Sequence, residues 1–250
     1  MKRLISIALC LVLMFSLCPY VFAEGSTITG TGATDGGDEP VGGVCRIGDT
    51  GYATLNAALA TLADDTPTTI VLLKDVINGS GIFLSGKKVT IDLNGNNLSV
   101  NNGVGIGIEI EDGTELTLTG SGRLDVHAKF ECLYLKQSSF IAPETVTVSF
   151  ISDAWGLAAD SFSTVDMHGD ITGAVGGLAA RYKNSITVNG TVKSKGENHA
   201  VYLFDSDNTV QVGSAIVDSE SRTAVGVYVD EFAVSTVTVG SPDKRGQIIG

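Results

Sequence analysis

The sequence predicts an all-β fold, a parallel β-helix of about seven turns with an N-terminal capping α-helix. Gly makes up 31 of the 250 residues and Pro only 5, while charged residues are 18%, a composition typical of short strands joined by tight turns. Beyond Pro67, apolar residues recur with a period of two, and the same strand pattern returns about every 25 residues.

The composition also excludes several classes of protein. An apolar fraction of 43% is too high for a disordered chain, and the Gly residues lack the three-residue period of collagen. The formal net charge is -12. Because a nucleic-acid binder needs a surface rich in Lys and Arg, the sequence argues against a nucleic-acid partner.

The first 23 residues have the pattern of a secretory signal peptide. Lys2 and Arg3 precede an apolar run at 4–17, ahead of a predicted cleavage site before Glu24. The run is shorter than the ~20 residues that a membrane span needs. We therefore expect an exported protein, secreted or at the cell surface, without a stable membrane span after cleavage.

Two cysteines, Cys45 and Cys132, follow the predicted cleavage site. Export permits a disulfide between them, but Cys132 lies in an apolar strand pattern that suits a buried free thiol equally well. The sequence leaves both alternatives open.

The mature chain divides into a linker and one domain. Residues 24–44 are rich in Gly and Thr and predict a flexible linker, and residues 45–250 form the predicted β-helix domain. In this domain, apolar residues from Leu55 to Leu62 recur at i, i+3, i+4 and i+7. The pattern predicts a helix over 54–63, with Thr54 as its N-cap.

An internal repeat follows the first predicted strand, at 69–76. An apolar-Thr-apolar triplet or a close variant recurs at steps of 27, 30, 19, 21, 24 and 27 residues. The triplets begin at Val89, Leu116, Val146, Val165, Ile186, Val210 and Val237. A second strand motif, such as GLAAR at 177–181, precedes five of them. Three short strands per repeat suit a β-helix better than a propeller, whose blades need about 40 residues.

The chain resembles the right-handed parallel β-helix proteins of the pectate-lyase-like superfamily, and more narrowly secreted bacterial surface proteins with such repeats. The resemblance covers about residues 45–250 and is carried by YATLNAALATLA, TTIVLLKDV, KKVTIDLNGNNLSV and DGTELTLTGSGRLDV. It implies that the helix covers the first turn of the coil, whose strand edges would otherwise be open. The final RGQIIG supplies no such lid. We therefore expect that the chain continues beyond Gly250 or that a partner closes this end.

The same resemblance implies two kinds of catalytic site. Pectate lyases use carboxylate-bound calcium with Arg or Lys as the base, and polygalacturonase relatives use clustered Asp with a downstream His-Gly. Here His168-Gly169 lacks a preceding Asp pair, and Asp64-Asp65 lies at the end of the predicted helix. We assign no catalytic residue, and the sequence favours a non-catalytic protein.

One outward face of the predicted coil carries the candidate binding site. Alternation along the second strand motif leaves two outward columns. They hold Tyr134, Ala158, Ala179, Tyr202 and Tyr228, then Lys136, Asp160, Arg181, Phe204 and Asp230. Aromatic rings here offer flat apolar surfaces to sugar C–H groups. The substrate-binding candidates are Tyr134, Trp155, Tyr202, Phe204 and Tyr228. The alternative interpretation is a column of alternating charges that only offsets stacked like charge.

Calcium is the one cofactor that the sequence suggests. Asp205, Asp207, Asp230 and Glu231 offer carboxylate ligands at predicted loop corners, although no calcium-binding loop motif is present.

Three functions remain open from the sequence. The favoured one is a non-catalytic adhesion or carbohydrate-binding module, whose partner is a polysaccharide or a glycan of a host or cell surface. The alternatives are a calcium-dependent polysaccharide lyase or glycoside hydrolase, and a structural spacer within a larger surface protein.

Overall fold

The computed structural model describes residues 43–205, 207–218, 224–230, 234–241 and 244–249. This part of the chain forms a parallel β-solenoid of about seven turns with one short helix, which confirms the predicted fold class. The predicted signal peptide at 1–23 and nearly all of the predicted linker at 24–44 lie outside the described residues.

The strands of the coil lie on three faces. Face 1 contains β3 (Thr68–Leu72), β6 (Lys88–Asp92), β9 (Glu115–Thr119), β12 (Ser139–Ala142), β15 (Thr164–Met167), β22 (Thr236–Ser241) and the first halves of β18 (Ser185–Ser194) and β20 (Thr209–Val217). Face 2 contains β4 (Val76–Asn78), β7 (Asn97–Asn102), β10 (Gly122–Ala128), β13 (Val146–Ser152), β16 (Gly169–Gly173), β24 (Ile248–Ile249) and the second halves of β18 and β20. The short β23 (Lys244–Arg245) pairs antiparallel with β22. Face 3 contains β5 (Ile82–Ser85), β8 (Ile108–Glu111), β11 (Leu133–Lys136), β14 (Trp155–Asp160), β17 (Gly176–Arg181), β19 (Val201–Phe204) and β21 (Val227–Val229).

The repeated triplets build the core because their apolar residues point inward. On face 1, Val89 pairs with Leu116 and Ile91 pairs with Leu118, and all four side chains are buried. The Gly that follows a triplet lies where two turns approach closely. At Gly190, an added Cβ would collide with the carbonyl oxygen of Gly169 in the preceding turn, so only glycine fits there.

One repeat assignment from the sequence is wrong. Val146 begins β13 on face 2, and the face 1 strand of this turn is β12, whose Phe140 pairs with Leu116 and Val165. The steps on face 1 from Leu116 to Phe140 and from Phe140 to Val165 are therefore 24 and 25 residues, instead of 30 and 19. The error arose because any strand with one buried face shows the same alternation as the triplet.

The N-terminal end of the coil is covered by a hairpin as well as a helix. β1 (Cys45–Ile47) pairs antiparallel with β2 (Thr50–Tyr52) and with β3, so the hairpin covers the strand edge of the first turn. The sequence did not predict these short strands. They do not extend past three residues each, too few for a periodic pattern.

The capping helix is shorter than the predicted 54–63. Helix α1 spans Leu55–Leu59, and the Oγ1 of Thr54 accepts the N–H of Ala57 at 3.1 Å as its N-cap, as predicted. Beyond it, the N–H of Leu62 bonds the carbonyl of Leu59, an i to i+3 bond that tightens the chain into a turn. Leu55, Ala58 and Leu62 are buried on the predicted face. Among the described residues, no helix is long and apolar enough to cross a bilayer.

A column of buried polar side chains lines the corner between faces 3 and 1. Its members are Thr114, Ser138, Ser163, Asn184 and Asn208. Asn184 links three successive turns, because its Oδ1 accepts the N–H of Ser163 at 2.9 Å and its Nδ2 donates to the Oδ1 of Asn208 at 3.0 Å. The column satisfies backbone groups that the corner would otherwise leave buried and unpaired.

Small inward side chains form the corner between faces 2 and 3. An added Cβ at Gly107 or Gly156 would collide with a buried side chain of face 2. Cys132 occupies this corner in its turn, where its thiol donates to the carbonyl of Val126 at 3.2 Å and burial raises the pKa of Cys132 to about 12. Both Cys45 and Cys132 are buried free thiols, so the alternative of a disulfide between them is not realised.

Candidate functional site

Face 3 has the register that the sequence predicts. Tyr134 pairs with Ala158, Ala158 with Ala179, Ala179 with Tyr202, and Tyr202 with Tyr228. The residues between them, such as Leu135 and Leu203, are buried in the core. The outward column is therefore confirmed, and its side chains stand one turn apart at about 4.8 Å.

Five ring side chains form one cluster on this face, called here the aromatic cluster: Trp155, His199, Tyr202, Phe204 and Tyr228. Tyr202 lies at its centre, with ring centroids 6.2 Å from Trp155, 3.8 Å from Phe204 and 5.2 Å from Tyr228. Tyr228 is 38% exposed, and the other four side chains are partly exposed. Four of the five predicted binding residues are thus brought together.

His199 is the member of the cluster that the sequence did not predict. Its ring stacks on Tyr228 with centroids 4.5 Å apart and an interplanar angle of 8°, and it meets Tyr202 edge-on at 5.2 Å. The alignment of successive turns places His199 in the same column as Trp155. Trp155 pairs with Gly176, and the N–H of Gly177 donates to the carbonyl of His199 in the next turn, so the three residues follow one another in a column.

Gly176 gives Trp155 its position. An added Cβ at Gly176 would collide with the six-membered ring of Trp155, so the indole lies across the backbone of the next turn. A larger residue at this position would displace the ring from the cluster. The sequence contains no other Trp.

His199 is held as a neutral ring. Its Nδ1 accepts the N–H of Val225 at 3.1 Å, a bond that requires a free lone pair on that nitrogen. Partial burial lowers the pKa of His199, because a charged imidazolium loses hydration there. At neutral pH the remaining proton is on Nε2, at the other side of the ring.

Tyr134 does not belong to the aromatic cluster. Ala158 and Ala179 lie between it and Tyr202 in the outward column, about 14 Å over three turns. Burial, with the nearby carboxylates of Asp160, Glu111 and Glu109, raises the pKa of Tyr134 to about 12. The two alanines form a shallow surface between Tyr134 and Tyr202, called here the floor.

An ion pair borders this floor. Arg181 donates from Nη2 and Nε to the two carboxylate oxygens of Asp160 at 2.6 and 3.3 Å. Burial opposes ionisation of Asp160, but the hydrogen bonds from Arg181 and Ser161 outweigh it and lower the pKa of Asp160. Lys136 pairs with Asp160 in the register, so the predicted charge column forms, with its closest contact between Asp160 and Arg181.

A second aromatic pair follows the ion pair at the corner of the coil. Phe162 and Tyr182 meet edge-on with centroids 5.7 Å apart and are 56% and 44% exposed. Both residues have a left-handed backbone, with φ of 60° and 71°, which costs about 1–2 kcal/mol each for a residue with a side chain. The nitrogen of Lys183 lies 5.6 Å from the Tyr182 ring. The corner therefore presents two rings and a cation beside the floor.

The other sequence candidates lie elsewhere. His168 contacts Asn189 at 3.1 Å, beside a cavity of about 320 Å³ at the corner between faces 1 and 2. Asp205 and Asp207 are exposed, and Asp230 is partly exposed. Glu231 lies outside the described residues. Among the residues described, no group of three or more His, Cys, Asp or Glu side chains could hold a metal ion.

Comparison with known proteins adds no relative. No family model, curated protein or solved structure matches this chain.

Proposed function

We propose that this protein is an exported, non-catalytic β-helix module of the pectate-lyase-like type that binds carbohydrate through the aromatic cluster. The observation that supports the proposal is the gathering of Trp155, His199, Tyr202, Phe204 and Tyr228 on one outward face. These rings come from three strands of a rigid coil and the segments beside them, so their spacing is fixed before a ligand arrives.

The chemistry of the cluster suits a sugar chain. Aromatic rings present apolar faces to the C–H groups of a pyranose, while a polar tip such as the Tyr202 hydroxyl can bond a sugar hydroxyl. The cluster extends from β14 to β21, three turns or about 14 Å. That length favours an oligosaccharide over a single sugar.

The neighbouring groups add polar contacts to the apolar surface. The Asp160–Arg181 pair supplies a carboxylate and a guanidinium at the edge of the Ala158–Ala179 floor. Such planar groups bond pairs of hydroxyls or an acidic sugar with defined geometry. We therefore infer that the sugar chain lies over the floor, with its C–H faces against Tyr202 and its hydroxyls toward Arg181.

Binding to an array of plant, bacterial and host glycans tests the proposal. We expect a defined subset of glycans to bind the protein, and Tyr202→Ala to lose that binding. Phe83→Ala is the matched control, because Phe83 is an exposed ring of the same outward column that lies outside the cluster. The proposal is wrong if no glycan binds at millimolar site concentration, or if Tyr202→Ala binds as the parent protein does.

A second assay separates binding from catalysis. Incubation with pectate and calcium, followed by ultraviolet absorbance, detects the unsaturated products of a lyase. We expect no increase in absorbance, and an increase would favour the alternative of a calcium-dependent lyase.

A further inference from the structure

A second cavity lies toward the N-terminal end of face 3, away from the aromatic cluster. Its volume is about 380 Å³, and its lining includes Phe83, Phe130 and Glu109. Phe83 is 61% and Phe130 48% exposed. The two rings therefore leave apolar surface exposed beside a cavity, which is typical of a ligand-binding site.

The register places the carboxylate between rings. Phe83 pairs with Glu109, and Glu109 pairs with Tyr134, so the outward column reads aromatic, carboxylate, aromatic over three turns. Their backbones are about 4.8 Å apart per turn. Phe130 lines the same cavity from the segment before β11.

In the described part of the chain, the carboxylates near this site form no ion pair. Within the described part of the chain, no Lys, Arg or His nitrogen lies within 4 Å of the carboxylates of Glu109, Glu111 or Glu131, although eight other pairs reach this distance. Burial, followed by the charges of Glu111 and Glu131, raises the pKa of Glu109. A positive ligand would offset the repulsion between these carboxylates and favour the ionised form of Glu109.

We propose that this cavity binds an organic ammonium group, and an alkylated one in preference to a primary one. The negative faces of aromatic rings attract a cation, and Glu109 adds the opposite charge. An alkylated ammonium is favoured because its carbon groups are apolar and contact the rings of Phe83 and Phe130, whereas a primary ammonium is strongly hydrated. The site is distinct from the aromatic cluster, since none of the five rings of that cluster lines this cavity.

Titration with tetramethylammonium chloride, followed by calorimetry and by amide chemical shifts, tests this assignment. Methylammonium chloride and sodium chloride at equal ionic strength are the comparison ligands. We expect saturable binding of tetramethylammonium, weaker binding of methylammonium, and shifts confined to the amides around Phe83, Glu109 and Phe130. Equal shifts with all three salts would overturn the proposal, because they would report ionic strength alone.

Two variants make the test specific. Phe83→Ala should weaken the binding of tetramethylammonium about three- to thirtyfold, the range for one cation–π contact, and Glu109→Gln should weaken it by about tenfold or more. Glu144→Gln is the matched control, because Glu144 is exposed and does not line the cavity. The assignment is wrong if Glu109→Gln binds as Glu144→Gln does. Tyr202→Ala should leave this binding unchanged, so failure of the carbohydrate proposal would not affect it.

Discussion

Replacing Asn184 by Ala removes a member of the buried polar column that bonds to the turns on both sides of it. The change deletes the acceptor for the N–H of Ser163 and the donor to the carbonyl of Ala159. Asn184 and Ser163 are 2% and 1% exposed, so water does not replace these bonds without entering the coil. Each buried group left unpaired costs about 1–3 kcal/mol. We expect the free energy of unfolding to fall by about 2–5 kcal/mol.

Urea unfolding followed by far-ultraviolet circular dichroism measures this change, and hydrogen exchange at the Ser163 amide locates it. Asn189→Ala is the matched control, because Asn189 is exposed and, among the described residues, its side chain hydrogen-bonds only His168. The control should change the stability by less than about 0.5 kcal/mol. If Asn184→Ala changes it no more than the control does, or if the Ser163 amide stays protected, the reasoning about the polar column is refuted.

Three further predictions concern the site and the core. Gly176→Ala should push the Trp155 ring off the next turn, so that Trp155 fluorescence shifts to the red; an unchanged emission maximum would contradict this packing. Burial lowers the pKa of His199 in the folded protein, so the unfolded chain binds a proton at a higher pH than the folded protein does. Stability should therefore fall as the pH drops below about 6.5, and His199→Gln should abolish that part of the pH dependence measured by thermal unfolding. Because burial raises the pKa of Cys132 to about 12, its thiol should resist iodoacetamide at pH 8 in the native protein and react in urea, as mass spectrometry would show; alkylation of the native thiol at the denatured rate would contradict its burial.

The register of face 3 was predictable because its strands repeat one pattern. In GLAAD at 156–160 and GLAAR at 177–181 the same residue types occupy the same positions, and alternation then assigns each side chain to a face. Face 1 was harder at β12, where Ser139–Ala142 lacks the Thr of the triplet. A strand of the next face, beginning at Val146, matched the triplet better.

The features that the sequence did not predict depend on contacts between turns. Asn184 and Asn208 lie 24 residues apart in the sequence, and only the stacking of turns joins their side chains. His199 joins the aromatic cluster through its ring contacts with Tyr202 and with Tyr228 of the next turn. Neither feature has a local period in the sequence, so a search for helical or strand periodicity cannot find it.

Trp155 fluorescence reports directly on carbohydrate binding at the aromatic cluster, because Trp155 is the only Trp in the chain and belongs to the cluster. Its fluorescence should be measured while an oligosaccharide identified on the array is added, with Tyr202→Ala and Phe83→Ala in parallel. If the cluster is the binding surface, the emission of the parent protein and of Phe83→Ala changes and saturates, and Tyr202→Ala shows a loss of affinity. Saturable binding detected by calorimetry without any change in Trp155 emission, and with Tyr202→Ala unaffected, would place the sugar elsewhere and contradict the account.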